Sequence, residues 1–329
     1  MKKIAIIKLG ALGDVVRTLS ILPALKKEYP DAHITWITKK SSEEIVSSSH
    51  YVDKTIILPL TEQLSSFDLL YNFDIEEEAT ELAKSLKSEK KLGFSSEEGF
   101  PSAFNLPAEY YLNTLFDDEL KKTNKKTYQE MMFEAAELEY KKQHHPIYLS
   151  EENNQHANNF VKNNNISQNQ LKNLIGIHIG SSKRWPSKAW SKEKIIELIE
   201  KSSKKGFFFI LFAGHEDIDK QEEIYNLLTK KKIQIFKNNP HNSIMEFATL
   251  LNLCKKVVCF DSLALHISLA LKKQTITLFF CTSPNEVEDY GILKKVCSPM
   301  LNDFFPEKMD QYSEELVNSI STDEVLRFL

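Results

Sequence analysis

The first seventeen residues constrain the fold of this chain more than any other stretch. Residues 4–7 read Ile-Ala-Ile-Ile, an apolar run typical of a central parallel strand that is buried on both faces. Gly10 and Gly13 follow in a Gly-x-x-Gly-Asp turn, where the absence of a side chain permits the close approach of a ligand. Apolar residues at helical spacing begin at Val15. The stretch therefore predicts a strand, a turn and a helix, the first unit of an open α/β sheet.

The alternation of strands and helices continues along the chain. In the first half we predict strands at residues 4–7, 33–38, 54–58, 67–72 and 91–94, with helices at 43–48, 75–87 and 128–139. In the second half we predict strands at 174–180, 207–212, 233–236, 256–260 and 276–280, with helices at 191–205, 217–230, 243–254, 263–271 and from 321 or 322 onward. This spacing predicts parallel sheets built from βαβ units.

A polar, asparagine-rich stretch at residues 141–173 separates the two series of elements. We interpret it as a domain connection plus a surface helix. It gives an N-terminal domain at 1–150 and a C-terminal domain at 151–329, and 329 residues are enough for each to bury a core. The last helix is a candidate to pack back on the N-terminal domain. Two such sheets predict a cleft between the domains, lined by the carboxyl ends of strands.

Composition excludes several classes of protein. The net charge of −4 gives no general affinity for nucleic acid. The four cysteines form no Cys-x-x-Cys pair, so we expect reduced thiols. The N-terminus mimics a signal peptide, but Lys8 interrupts its apolar core. The longest apolar run, residues 207–213, is too short to cross a bilayer. We therefore expect a soluble, cytoplasmic protein.

Asp14 is the first candidate for chemistry. It follows the glycine turn at the carboxyl end of the first strand, where open α/β sheets bind their ligands. A carboxylate in that place favours a catalytic role. The alternative is that Asp14 is an N-cap, which satisfies the first amides of the helix.

Polar residues also follow a strand near the start of the second half. Gly180 and Ser181 are succeeded by the cations Lys183 and Arg184. Small residues with hydroxyls and cations suit a phosphate group. The alternative is an ordinary basic surface loop.

A second polar group follows the strand predicted at residues 256–260. The helix after it presents the amides of Ser262, Leu263 and Ala264, a ready site for a diphosphate. Asp261 and His266 lie on either side of those amides. The alternatives are a helix cap for Asp261 or Ser262, and a partly buried helix histidine for His266.

Two further patterns are set aside. Residues 217–219 read Asp-Ile-Asp, as in some metal sites, but they open a predicted helix, so capping explains them better. The turn at Gly10 and Gly13 lacks the first glycine pair of the dinucleotide motif Gly-x-Gly-x-x-Gly, so no NAD is expected.

Three motifs together, at residues 7–15, 183–186 and 261–266, make the chain resemble glycosyltransferase family 9, the lipopolysaccharide heptosyltransferases. The resemblance implies an α/β GT-B fold, with two Rossmann-like doubly wound parallel-sheet domains facing across a cleft. It also implies an inverting mechanism without a metal ion or other cofactor, and a nucleotide-diphosphate sugar donor, usually ADP-heptose. The acceptor that the resemblance implies is the core of lipopolysaccharide or a related glycolipid or oligosaccharide. It would be reached from the cytoplasmic face of the inner membrane, where the protein is a candidate for peripheral contact.

The resemblance also assigns roles to residues. It makes Asp14 the general base and Lys183 a contact of the donor diphosphate, with Arg184 as an open alternative. The donor segment comprises Asp261, Ser262, Leu263, Ala264 and His266, with Ser181 at the phosphate and Glu216 near the donor ribose. The acceptor face should be basic, whereas residues 73–78 are acidic, as at a helix start that complements the helix dipole.

Other functions stay open at this point. A family 9 transferase with another donor or acceptor carries the same motifs. A non-transferase of the same architecture, such as a nucleotide-sugar epimerase, is a second alternative. A nucleotide-binding protein that has lost catalysis is a third.

Overall fold

The computed structural model describes residues 1–61, 63–145, 147–182 and 184–329. They form two compact units. The first unit comprises Met1–Tyr148 and Asn285–Glu288, and the second comprises Leu149–Pro284 and Asp289–Leu329. The chain therefore enters the first unit twice. We call Asn285–Glu288 the return segment.

The first unit alternates strands and helices. Its strands are β1 (Lys3–Ile7), β2 (His33–Thr38), β3 (Lys54–Ile57), β4 (Phe67–Asn72), β5 (Ser88–Glu97) and β6 (Phe100–Ala103). Its α-helices are α1 (Leu12–Thr18), α2 (Leu22–Glu28), α3 (Glu43–Ser47), α4 (Glu77–Ser85), α5 (Leu106–Phe116), α6 (Asp118–Thr123) and α7 (Tyr128–Ala135), with 3₁₀ turns at Leu19–Ile21 and Lys40–Ser42.

The strands of the first unit form one sheet in the order β3-β2-β1-β4-β5-β6. Neighbouring strands are parallel, except that β6 runs antiparallel to β5. The residues Ile4 to Ile7 of β1 are fully buried, as the apolar run predicts for a central strand. The strand order reverses between β1 and β4, and the carboxyl ends at such a switch point are where open α/β sheets bind ligands.

The return segment is anchored by polar contacts within the first unit. Asn285 donates its side-chain amide to the carbonyl oxygen of Asn124 at 3.1 Å. The buried carboxylate of Glu288 accepts hydrogen bonds from the Tyr140 hydroxyl at 2.8 Å and from the Lys142 ammonium at 3.0 Å. A buried charge is stable only when it is paired and hydrogen-bonded, so these contacts hold the segment in place.

The second unit repeats the alternation. Its strands are β7 (Leu174–His178), β8 (Phe208–Phe212), β9 (Ile235–Lys237), β10 (Lys256–Phe260), β11 (Gln274–Phe279) and β12 (Leu293–Cys297). Its α-helices are α8 (Glu151–Asn163), α9 (Gln168–Lys172), α10 (Lys192–Ser203), α11 (Ile218–Lys230), α12 (Ile244–Leu253), α13 (Leu263–Ala270), α14 (Leu301–Phe304), α15 (Glu314–Asn318) and α16 (Thr322–Leu326), with a 3₁₀ turn at His215–Asp217. A further 3₁₀ turn, Pro284–Glu286, leads into the return segment.

The sheet of the second unit has the order β12-β11-β10-β7-β8-β9, with all neighbours parallel. This is the same winding as in the first unit, and its switch point lies between β7 and β10. The terminal helix α16 packs against α10, and its Val325 belongs to the core of the second unit. Among the residues that the structure describes, no helix has the length and apolarity needed to cross a membrane.

Sequence patterns miss several elements. We predict 276–280 as the last clear strand, which is wrong because β12 follows it. β12 lies at the sheet edge and carries Lys294 and Lys295, which mask its strand pattern. The stretch 95–138, which gives a clear pattern only for α7, also holds β6, α5 and α6.

Candidate active site

The turn after β1, which contains Gly10, is organised by Asp74, which follows β4; Gly13, predicted in the same turn, lies instead in the first turn of α1. The Asp74 carboxylate accepts backbone hydrogen bonds from Leu9 at 2.9 Å and from Gly10 at 2.5 Å. A Cβ atom at Gly10 would lie 2.9 Å from the same carboxylate, so the close approach explains the glycine. Asp74 is 4% exposed, and its carboxylate has a structural role at the switch point, where it holds the turn. The acidic stretch at residues 73–78 therefore begins with an internal carboxylate, and Glu77 and Glu78 occupy the first turn of α4.

Lys8, the last residue before the turn, is buried beside Asp74. Its ammonium donates to the carbonyl oxygen of Phe73 at 2.9 Å and lies 3.5 Å from the Asp74 carboxylate. Burial acts to lower the pKa of Lys8, but interactions with Tyr128, Asp74 and Asp14 outweigh it and raise that pKa above its usual value. Lys8 is therefore a permanent positive charge beneath the turn.

Asp14 lies in the first turn of α1 and is not its N-cap. Ala11 occupies the N-cap position, so the capping alternative for Asp14 is wrong. One oxygen of Asp14, Oδ1, accepts hydrogen bonds from Arg17 Nε at 3.1 Å and Arg17 Nη2 at 2.7 Å. The Asp14 side chain is 31% exposed and that of Arg17 is 14% exposed. A partly exposed carboxylate at a switch point can meet a substrate hydroxyl.

Arg17 is held from the other side by an aromatic ring. Its guanidinium lies over the Tyr128 ring, 3.8 Å from the centroid, as in a cation–π contact. The buried Tyr128 hydroxyl is 2.9 Å from the hydroxyl of Thr18, and Tyr111 packs edge-on against the Tyr128 ring. We refer to Asp14, Arg17 and Tyr128 as the Asp14 cluster. The sequence shows the i, i+3 spacing of Asp14 and Arg17, but nothing near them points to Tyr128.

In the second unit, Gly180 and Ser181 lie just beyond β7. Gly180 is buried, and a Cβ atom there would overlap the carboxylate of Asp217, so this position excludes a side chain. Ser181 is partly exposed, and Arg184 is exposed with its guanidinium 4.7 Å from the centre of the Trp185 ring. Lys183, the predicted diphosphate contact, lies outside the described residues.

Ser262 is the N-cap residue of α13 by position, but its side chain makes no capping hydrogen bond. Its hydroxyl lies 3.5 Å from Nδ1 of His178, at the end of β7. Burial and the nearby charge of Lys220 lower the pKa of His178 to about 4, so its ring is neutral at pH 7. The two strand ends at the switch point are thus joined through His178, a residue that sequence patterns did not single out.

Asp261 is paired with Lys188, a second residue that the sequence interpretation missed. Lys188 Nζ lies 3.0 Å from the Asp261 carboxylate, with side chains 13% and 19% exposed. Leu263 is partly exposed at the start of α13, whereas Ala264 and His266 are buried within it. The pair brings a cation of the loop after β7 to the carboxylate that precedes α13. Lys188 follows the basic motif at residues 183–186 by two positions in the sequence, which is the signal that could have found it.

Glu216 is exposed in the 3₁₀ turn after β8. Its neighbour Asp217 is the N-cap residue of α11, but the side chain makes no capping bond and lies against Gly180 instead. Capping by the Asp217 side chain is therefore wrong as an explanation of residues 217–219. A pocket of about 330 Å³ adjoins this point, and Ser181, Asp217 and Lys220 are among its lining residues. Within the described ranges, no group of three or more His, Cys, Asp or Glu side chains could hold a metal ion.

Both sheets thus carry polar side chains at their switch points. A model described as glycosyltransferase family 9 (heptosyltransferase) matches residues 63–315, well over half of the chain. The chain belongs to glycosyltransferase family 9.

Relatives extend the likeness to the full length. Lipopolysaccharide heptosyltransferase 1 of Campylobacter coli is 24% identical and is aligned over 99% of this chain and 98% of its own. The solved family 9 glycosyl transferase of Veillonella parvula has a TM-score of 0.77 at 17% identity, over 99% of this chain and 95% of that one. The E. coli ADP-heptose lps heptosyltransferase II has a TM-score of 0.72 at 17% identity, over 99% and 97%.

These findings confirm three expectations. The chain is a member of family 9, it is a glycosyltransferase, and it has the α/β GT-B fold with two doubly wound sheets. Each sheet carries its polar candidates at a switch point, Asp14 in the first unit and Asp261 in the second.

Proposed function

We propose that this family 9 glycosyltransferase moves heptose from ADP-heptose to the core of lipopolysaccharide, with inversion and without a metal ion. The names of its relatives support the donor and the acceptor, since one acts on lipopolysaccharide and another is called an ADP-heptose heptosyltransferase. The observation that carries the proposal is the pair of strand-end sites, Asp14 at one switch point and Asp261–Lys188 at the other. The protein would work as a cytoplasmic enzyme, peripheral to the inner face of the membrane that holds its acceptor.

The first unit would supply the base. The acceptor hydroxyl attacks the anomeric carbon from the face opposite the diphosphate, and the bond between that carbon and the diphosphate oxygen breaks. The hydroxyl proton passes to the Asp14 carboxylate as the new glycosidic bond forms. The product has the opposite anomeric configuration from the donor.

The second unit would hold the donor and its leaving group. The diphosphate gains negative charge as it leaves, and cations with preorganised amides stabilise such charge. The described groups suited to binding the diphosphate are the Lys188 ammonium, the Ser181 hydroxyl and the amides of Ser262, Leu263 and Ala264. Lys183 is a further contact that the family resemblance implies. Glu216 is exposed where it could meet the donor ribose, and buried His266 would support the donor segment from within α13.

Nucleotide binding in EDTA is the first test. ADP, ADP-heptose, UDP, GDP and NAD are compared by thermal shift. A ligand at 100 times its dissociation constant stabilises the folded state by about 2.7 kcal/mol. We expect a shift with the two adenine diphosphates. A shift only with UDP or GDP would overturn the donor, and the absence of any shift would overturn the donor site.

Transfer is tested with ADP-heptose and a lipopolysaccharide core acceptor. We expect activity that survives EDTA, a product of inverted anomeric configuration by NMR, and a loss of about 10²–10⁴-fold in kcat for Asp14→Asn, with ADP binding retained. Retention of configuration would overturn the mechanism. An Asp14→Asn enzyme with full activity would overturn the base.

A further inference from the structure

In the Asp14 cluster, Arg17 contacts the Asp14 carboxylate through two hydrogen bonds. Both hydrogen bonds from the Arg17 guanidinium fall on one oxygen of Asp14, Oδ1, at 3.1 and 2.7 Å. Two nitrogens of one planar guanidinium converge on that oxygen, so its position is set by two hydrogen bonds of defined direction rather than by a single contact. The Asp14 backbone is held too, because its carbonyl accepts a hydrogen bond from Thr18 Oγ1 at 2.6 Å.

The guanidinium is itself immobilised. Its lower face lies on the Tyr128 ring at 3.8 Å, and that ring is fully buried. The Tyr128 hydroxyl meets Thr18 at 2.9 Å, and the ring of Tyr111 meets Tyr128 edge-on with centroids 5.8 Å apart. Arg17 therefore stands on a rigid aromatic support that comes from α5 and α7, far along the chain from α1.

We infer that Arg17 is the positioning residue of Asp14: its guanidinium, stacked on Tyr128, holds the carboxylate in the orientation that takes the proton of the acceptor hydroxyl. The inference rests on the proposed role of Asp14 as base. Arg17 would make no bond to the reacting atoms. Lysine could not replace it, because an ammonium has neither the planar fork nor the stacking face.

Other titratable groups face the Asp14 cluster from the surrounding elements: Lys8 just after β1, Asp74 after β4, Tyr111 of α5 and Glu286 of the return segment. Burial raises the pKa values of Tyr111 and Tyr128, and that of Lys8 is also above its usual value. Lys8 therefore stays charged and the tyrosines stay neutral from about pH 5 to pH 9, given ordinary pKa values near 10. A change in the acid limb of the activity profile then reports on carboxylates.

The test compares Arg17→Gln and Arg17→Lys with wild type in steady-state transfer. We expect kcat to fall by about 10²-fold in both, as when a catalytic group is misplaced by about 1 Å, with both KM values within about twofold. The acid limb of kcat/KM should move to higher pH in Arg17→Gln, by about one unit or more, because a neighbouring arginine lowers the pKa of a carboxyl. In Glu286→Gln, the acid limb of kcat/KM should stay at its wild-type pH. Arg327→Gln, which changes an arginine of the second unit, is the matched control and should keep full activity.

A double mutant separates positioning from other roles. If Arg17 acts through Asp14, Arg17→Gln causes no further loss in the Asp14→Asn background. Independent, multiplying losses would overturn the inference. So would a raised acceptor KM with unchanged kcat, which would make Arg17 a substrate contact, or an acid limb that does not move.

The outcomes also distinguish the inference from the proposed function. Full activity in Asp14→Asn overturns the base itself, whatever the Arg17 variants do. An inactive Asp14→Asn beside wild-type rates in both Arg17 variants overturns only the positioning role. Thermal unfolding and the ADP shift establish that each variant is folded. If Arg17→Gln does not fold, Arg17→Lys, which keeps the charge, carries the comparison.

Discussion

Asp74→Asn removes the buried carboxylate that organises the glycine turn. The oxygen that accepts from Leu9 at 2.9 Å and from Gly10 at 2.5 Å is the same oxygen that lies 3.5 Å from the Lys8 ammonium. In the variant, an uncharged amide replaces the carboxylate. The Lys8 ammonium then loses its ion pair with Asp74 and retains its hydrogen bond to the Phe73 carbonyl. Removing one partner of a buried ion pair costs about 3–5 kcal/mol, because the other charge stays buried.

That loss is large relative to the stability of a domain, which is about 5–15 kcal/mol. Differential scanning calorimetry follows the unfolding of the protein, and hydrogen exchange of residues 3–16 places the loss in the turn. Glu78→Gln is the matched control from the same acidic stretch. Its carboxylate is 51% exposed and pairs with Lys39 at 3.0 Å, and such surface pairs contribute about 0–1 kcal/mol. A loss below about 1 kcal/mol in Asp74→Asn, the upper limit for surface pairs, would refute the structural role of Asp74.

Three further predictions concern the second unit. Gly180→Ala should destabilise the second unit by about 1–3 kcal/mol, because the added Cβ overlaps the Asp217 carboxylate. Gly214→Ala is the control and should not destabilise it, because no atom lies within 4 Å of the added Cβ. Thermal unfolding compares the two variants. His178, with its pKa of about 4, binds a proton more weakly when folded, so stability should fall as the pH drops from 6.5 towards 4. His178→Gln should lose that dependence in urea unfolding at pH 5 and 7.5, and an unchanged dependence would contradict the assignment. Lys188→Gln should weaken ADP binding by about tenfold or more, since hydrogen bonds to charged groups contribute about 1.5–3 kcal/mol. Isothermal titration calorimetry measures the affinity. Lys192→Gln is the control and should keep the affinity, because the ion pair of Lys192 is exposed.

Local pattern was sufficient for the elements that carry the site. The strand at 67–72 has the predicted bounds, and the helix predicted from residue 191 does begin there, where the Ser191 side chain caps α10 by accepting a hydrogen bond from the Lys194 amide. These features depend on residues that are close in sequence. The β12 strand was missed because lysines on a sheet edge break the apolar pattern on which strand prediction depends.

The parts of the site that were missed depend on residues that are distant in sequence. Asp74 reaches Gly10 across 64 residues, and Tyr128 reaches Thr18 across 110. An acidic run before a helix reads as dipole complementation, and only the folded sheet shows that its first member faces inward. The motifs at Asp14 and Asp261 located the switch points, but the pairing of Asp261 with Lys188, 73 residues earlier, became visible only when the loop after β7 was placed.

The return segment bears on how members of such a family could be recombined. Suppose that the first half of the gene is exchanged between two enzymes, with a junction near residue 149. The first unit of the chimera would then combine residues 1–148 of one parent with the return segment, Asn285–Glu288, of the other. Glu288 would then depend on whatever residues the other parent carries in place of the Tyr140 and Lys142 that it meets here. A working chimera would have to carry this short piece along with the first half, so the inherited module is discontinuous in the gene although it is compact in the protein.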